Sequence, residues 1–167
     1  AEAIAVADYL AASPISVMRG TSISAALDYV LPLFDGNGFE GVRRVIDVSG
    51  DGPNNMGSPV VAARDRVLAA GVTINGLPIM IRPSMRGAPP GYGLDTYYRD
   101  CVIGGPGAFV LPVRDASELA LAIRQKLILD IAQRPVAMPG RLIRAQAEPA
   151  VDCLVGERLR RRYWNGP

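Results

Sequence analysis

The sequence predicts an open α/β fold, a mostly parallel sheet with helices on both faces. Three observations carry that expectation. Short apolar, β-branched runs stand at 44–49, 72–81 and 108–113. A helical stretch at 59–70 separates the first two runs, a long excursion at 82–100 separates the second and third, and a helical stretch at 116–132 follows the last, an order that implies crossover connections, as parallel strands require. The chain has 167 residues, 49% apolar and 20% charged, which is enough for one covered core and too little for two ordinary domains.

Residues 1–12 (AEAIAVADYLAA) are Ala-rich with Ile4, Tyr9 and Leu10 and read as a helix that starts without a cap. Ser13-Pro14 ends it. Thr21 or Ser22 then caps a second helix in which Ile23, Leu27, Val30, Leu31 and Phe34 recur at helical spacing, and Pro32 should kink or shorten it. The Asp35-to-Gly41 stretch lacks the alternate oxygen spacing of an EF-hand and reads as helix-ending glycines. Arg44-Val-Ile-Asp47-Val-Ser49 is the first strand, and Gly50-Asp51-Gly52-Pro53-Asn54-Asn55 is a dense turn cluster.

Ser58 as cap, Pro59 as first helical residue and Gly71 past the end frame a helix over 59–70. The run at 72–81 is the second strand, and 82–100, rich in Pro, Gly and Tyr, is expected as a long irregular excursion. Tyr92, Tyr97 and Tyr98 there either line a partner surface or pack the loop down. Residues 108–113 form the third strand. Asp115 with Glu118 opens a helix over 116–132, with Leu119, Ile123, Leu127 and Ile131 on one face.

The organisation is one domain over 1–132 and a basic Pro/Arg-rich tail over 133–167. The tail is broken at Arg134-Pro, Met138-Pro-Gly and Glu148-Pro, and it carries a short helix candidate from Val151 to Arg162. The net charge of +2 is uneven, with 11 basic and 13 acidic groups in 1–132 and 7 and 3 in the remainder. Seventeen of the 18 basic residues are Arg, a compositional bias rather than a phosphate-binding signal, so nucleic acid is not an expected partner. The stretch Arg158-Leu-Arg-Arg-Arg162-Tyr-Trp164 reads as a solvated end. Cys101 and Cys153 either pair in an oxidising compartment or stay as thiols, and their spacing fits no metal knuckle. No apolar run approaches the roughly 18 residues that would span a bilayer, and residues 1–12 lack the basic start of a secretory leader.

The count of His is zero, which removes Ser-His-Asp and Cys-His nucleophile systems and imidazole metal sites. What remains is oxygen chemistry. In an open parallel sheet, ligands bind beyond the carboxyl ends of the strands. Two segments bring oxygens to that edge: Gly20-Thr21-Ser22-Ile23-Ser24 and Ser49-Gly50-Asp51-Gly52. One carboxylate and several hydroxyls suit a hard cation such as Mg²⁺ or Mn²⁺. Taken alone, Thr21 also reads as a cap and Asp51-Gly52 as a turn.

Gly-Thr-Ser-Ile before an Ala/Leu helix, followed by a strand ending Val-Ile-Asp-Val-Ser-Gly-Asp-Gly-Pro-Asn-Asn, resembles the second and third loops of von Willebrand factor type A domains. The strings RRVIDVSGDGPNN at 43–55, GVTINGLPI at 71–79 and YYRDCVIGGPGAF at 97–109 resemble a bacterial branch of that superfamily, a domain of unknown function, over residues 1–132. The resemblance implies a Rossmann-like fold and a metal-ion-dependent adhesion site with Thr21 and Asp51 as metal residues; Ser22, Asp47 and Ser49 are candidate supporting residues, although Asp47, inside the strand, also reads as a buried hydrogen-bonding group. It also implies a protein partner that completes the ion's shell with a carboxylate, and a periplasmic or secreted location.

One departure weakens the site. The first loop of that family, Asp-x-Ser-x-Ser, has no counterpart upstream of Thr21, and Asp47-Val-Ser49-Gly-Asp51 mimics it only after the Thr loop. The domain is therefore expected to be incomplete at its N-terminus, with an unpaired central sheet edge and poor stability. The competing readings are a metal-free scaffold or degenerate fragment, and a metal-assisted phosphotransfer enzyme using Asp47 and Asp51.

Overall fold

The computed structural model describes residues 2–16, 20–82, 92–132 and 151–164. In chain order the elements are α1 (Glu2–Ala12), α2 (Ile23–Val30), β1 (Val45–Gly50), α3 (Val60–Ala69), β2 (Thr73–Pro78), α4 (Leu94–Tyr97), α5 (Leu119–Ala132) and α6 (Val155–Trp164). β1 and β2 pair in parallel, in register from Val45 opposite Thr73 to Gly50 opposite Pro78. β2 is buried along its whole length because its other edge is also occupied. Gly76 bridges Val110 and Ile79 bridges Val113, both in parallel, and Ile74 bridges Gly104. The predicted third strand thus runs beside β2, but as single bridges rather than a continuous ladder.

Alternation along the strands divides the core. Ile46, Val48 and Ile74 face Ile23 and Leu27 of α2, Val60, Ala63 and Val67 of α3, and the Tyr97, Tyr98 and Val102 side chains. Leu77, on the opposite face, packs with Val113 and Ala122 under α5. Helices therefore cover both faces, and the chain is an α/β protein around a small open parallel sheet. Among the described residues that sheet has two full strands, fewer than the open sheet expected from the sequence.

Four local expectations are refined. Ser22, not Thr21, caps α2, its side chain accepting from the Ala25 N–H at 3.2 Å. Pro32 ends the α-helix at Val30 and starts a 3₁₀ turn over Leu31–Phe34. Ser58 does not cap α3; Pro59 takes the cap position, and the Ser58 carbonyl accepts from Asn54 instead. The expected excursion is helical over its second half, α4 passing into a π turn over Tyr98–Val102, while 83–91 lies outside the described residues.

The face of α5 differs more. Ile123 and Leu127 are 44% and 52% exposed, while Ala122 and Lys126 are buried at 6% and 5%; the Ile131 side chain is outside what is described. The stripe turned by about one residue because Lys126 has two carboxylates to meet on the sheet side. The chain beyond α5 is described only from 151, and the interrupted stretch 133–150 lies outside the described residues. The sequence pattern suggests a basic tail with no core of its own; Val151 and Val155 of that stretch enter the main core. A disulfide joins Cys101, at the end of the π turn, to Cys153. No described helix is long and apolar enough to cross a membrane.

Candidate functional site

The site is built from two loops at the carboxyl end of β1. Residues 51–56 leave the strand there, and residues 20–24 enter α2 beside them. Backbone groups tie the loops together: the Asn55 and Met56 N–H groups donate to the Thr21 carbonyl at 2.9 and 3.1 Å. Side chains finish the clamp. The Thr21 N–H donates to Asn55 Oδ1 at 2.8 Å, the Ser24 N–H to Asn54 Oδ1 at 3.0 Å, and Ser22 Oγ to the Met56 carbonyl at 3.1 Å.

Asn54 is fully buried and saturated. Besides accepting from Ser24, its Nδ2 donates to the Ser58 carbonyl at 3.1 Å and to Glu157 Oε1 of α6 at 2.7 Å, while its N–H donates to the Tyr97 hydroxyl at 3.2 Å. From sequence the Asn pair reads as turn chemistry alone. An amide carries a donor and an acceptor on one short side chain, which suits it to stitching segments together, but the partner positions some 30 residues away leave no mark on the local pattern. Helix α6 presses on the same loop so closely that a Cβ at Gly156 would overlap the Asn54 carbonyl.

This clamp brings Thr21 and Asp51 to one edge. Thr21 Oγ1 lies 3.6 Å from where a Cβ on Gly52 would stand, and Asp51 is exposed. Neither the Thr21 hydroxyl nor the Asp51 carboxylate has a hydrogen bond or ion pair to another described residue. Ser22 is used by its cap and by Met56.

Asp47 and Ser49 lie elsewhere. Their side chains take the α5 face of β1, where Asp47 forms an ion pair with Lys126. Lys126 also meets Asp130 at 3.2 Å, and Asp130 accepts from Asn75 Nδ2 at 2.8 Å. Burial pushes the Asp47 carboxyl above its ordinary range, with Asp130 adding to the rise and Lys126 opposing it. Asp47 is thus engaged in a lysine-centred network and Asp51 is not, so the two carboxylates work in different surroundings.

On the other face Tyr98 packs against the sheet. Gly76 and Gly50 make room for it: an added Cβ would meet Tyr98 Cδ1 at 2.8 Å from Gly76 and the Tyr98 hydroxyl at 2.9 Å from Gly50. The ring edge packs against Tyr97 with centroids 6.4 Å apart. Burial, and then the nearby Asp51 charge, push the Tyr98 phenol well above its ordinary value.

Among the described residues no group of three or more His, Cys, Asp or Glu side chains is arranged to hold a metal ion. The oxygen set at the loop edge is one carboxylate and one hydroxyl. That set is compatible with a Mg²⁺-like ion that keeps most of its water, and not with a fully protein-caged ion.

A family model described as "Protein of unknown function (DUF1194)" matches residues 1–135. The chain belongs to the DUF1194 family. Both loops of the candidate site, β1, β2, α5 and the Tyr97-Tyr98 pair lie inside the matched part of this DUF1194 chain, whereas α6 and Cys153 lie beyond it. Comparison with curated proteins and with solved structures gave no match.

Proposed function

We propose that this DUF1194 chain is a metal-ion-dependent protein-binding module of the von Willebrand factor type A kind, with the Rossmann-like topology that implies, and not an enzyme. The observation that carries the reading is the hydrogen-bonded clamp between the 20–24 and 51–56 loops, which leaves Thr21 Oγ1 and the Asp51 carboxylate unengaged at the carboxyl end of β1. In this reading Thr21 and Asp51 hold Mg²⁺ or Mn²⁺, and the ion supplies a coordination position for a carboxylate from a partner protein. Ser22 supports the site by fixing the start of α2, whereas Ser49, on the α5 face of β1, takes no direct part in it. Asp47 acts at one remove, by anchoring β1 to α5.

The Cys101–Cys153 disulfide supports an oxidising, periplasmic or secreted setting. A metal-free scaffold is the second reading, favoured by the lack of a three-residue acidic or thiol group among the described residues.

Thermal unfolding with added Mg²⁺ or Mn²⁺ separates the two. With two protein ligands the affinity is expected in the millimolar range, and at ten times Kd the ion adds about 1.4 kcal/mol, a rise in Tm of roughly 3–6 °C. Asp51→Ala and Thr21→Val should each abolish that rise. No rise in the unmodified chain, or an equal rise in Asp51→Ala, leaves the scaffold reading.

A further inference from the structure

Two adjacent tyrosines, both fully buried, end in different ways. The Tyr97 hydroxyl accepts from the Asn54 N–H at 3.2 Å and donates to the Cys153 carbonyl at 3.5 Å, so it is used in holding the loop clamp and α6. The Tyr98 hydroxyl is equally buried and finds no hydrogen-bond partner among the described residues. A phenol without a partner in a protein interior destabilises the fold, whereas a phenylalanine of the same shape would not.

The sheet holds this group in position. Both glycines under the ring are needed for its lie, since a side chain at Gly50 or Gly76 would strike it. The hydroxyl therefore ends above Gly50, next in sequence to Asp51, whose negative charge adds to the upward push of burial on this phenol. Among the described residues, a proton donor without an acceptor and a carboxylate without a donor stand at the same end of β1.

We propose that Tyr98 is a positioning residue for the cation site: when the ion is held, its hydroxyl donates to the Asp51 carboxylate and fixes which oxygen of that carboxylate is turned to the ion. The inference rests on the cation-dependent reading above and deepens it. The phenol is protonated at every physiological pH and so is always a donor, and its hydroxyl is buried. Its role is to convert a freely rotating surface aspartate into an oriented ligand, which matters most where protein ligands are few.

The test is Tyr98→Phe in the full 167-residue chain, with the cation-free Tm and the Mn²⁺ dissociation constant measured by titration calorimetry. The expected result is a split: the cation-free Tm is unchanged or higher, because a buried unpaired hydroxyl has been removed, while Mn²⁺ binds about tenfold more weakly. Tyr97→Phe is the comparison, expected to lower the cation-free Tm because its hydroxyl is used in the fold. An unchanged Mn²⁺ dissociation constant in Tyr98→Phe overturns the positioning role and leaves the cation reading standing. A lowered cation-free Tm in Tyr98→Phe also overturns it, by making the hydroxyl a fold contact. No Mn²⁺ binding by the unmodified chain overturns both.

Discussion

Single residues at this site are valued by the hydrogen bonds they close. Asn54→Ala removes the acceptor of the Ser24 N–H, which is buried, and the donor to the Ser58 carbonyl and Glu157, which are half-buried. The expected loss is about 2–4 kcal/mol, since each orphaned buried group costs roughly 1–3 kcal/mol. Asn55→Ala, which frees only the half-buried Thr21 N–H, should cost about 1 kcal/mol. Urea midpoints of the two variants check the order.

The Lys126 network gives a pH signature. Asp47 has a raised carboxyl, so in the folded state it holds its proton more tightly than in the unfolded chain, and its contribution to stability falls as pH rises from the ordinary carboxylate range through the raised value. Lys126 opposes that rise. Lys126→Met leaves Asp47 and Asp130 facing each other with burial unopposed, so the penalty should be small near pH 4 and grow toward neutrality. At neutral pH it should reach about 2 kcal/mol, less than for a fully buried pair because 38% of the Asp47 side chain is in water. The Tm difference between variant and parent, followed across pH, reads this; a difference independent of pH would contradict the assignment.

At the level of elements, the join between α6 and the core is the sharpest test. The Cys101–Cys153 bridge closes a separation of 52 residues, for which chain entropy alone gives about 4 kcal/mol. Cys153→Ser should therefore lower stability by up to about 4 kcal/mol, and it should also loosen the 51–56 loop, because Glu157 and Gly156 hold Asn54 from the far side. Hydrogen exchange at residues 51–56 in the variant, compared with the parent under reducing and non-reducing conditions, separates loop loosening from global unfolding.

The same element marks where sequence reasoning stopped. β1, β2, α2, α3 and α5 were legible because period and cap residues are local signals: Pro32, Gly71 and Asp115 act within one turn of their own position. The packing of α6 was not legible, since an Arg-rich helix with one valine at its start and another four residues before it looks like a solvated end until its neighbours are known. The buried face of α5 was missed for a related reason. A lysine counts as polar in any periodic pattern, and its burial becomes favourable through Asp47 on a distant strand together with Asp130 one turn on. At the site, the residue types at Thr21 and Asp51 were readable, whereas Asn54 and Tyr98 acquire meaning only from partners, or a missing partner, across the fold.

At the scale of the whole molecule, the asymmetry of the sheet determines which parts open first. β2 is paired on both sides, whereas among the described residues β1 is paired only with β2. The Thr73 N–H bonds to the Arg44 carbonyl and the Ile79 N–H to the Gly50 carbonyl, which fixes the phase of the parallel ladder. The N–H groups of Ile46, Val48 and Gly50 then point to β2, and those of Val45, Asp47 and Ser49 point to the open edge. Native-state hydrogen exchange should alternate along β1, slow at 46, 48 and 50 and fast at 45, 47 and 49, while β2 is slow at every amide. An open strand edge is also a template for another chain. The fast amides at 45, 47 and 49 should become protected as protein concentration rises if edges pair between molecules, with a matching rise in mass by light scattering. Uniform protection along β1 at high dilution would mean that its outer edge is covered within the single chain, and the assignment of an open edge would fall.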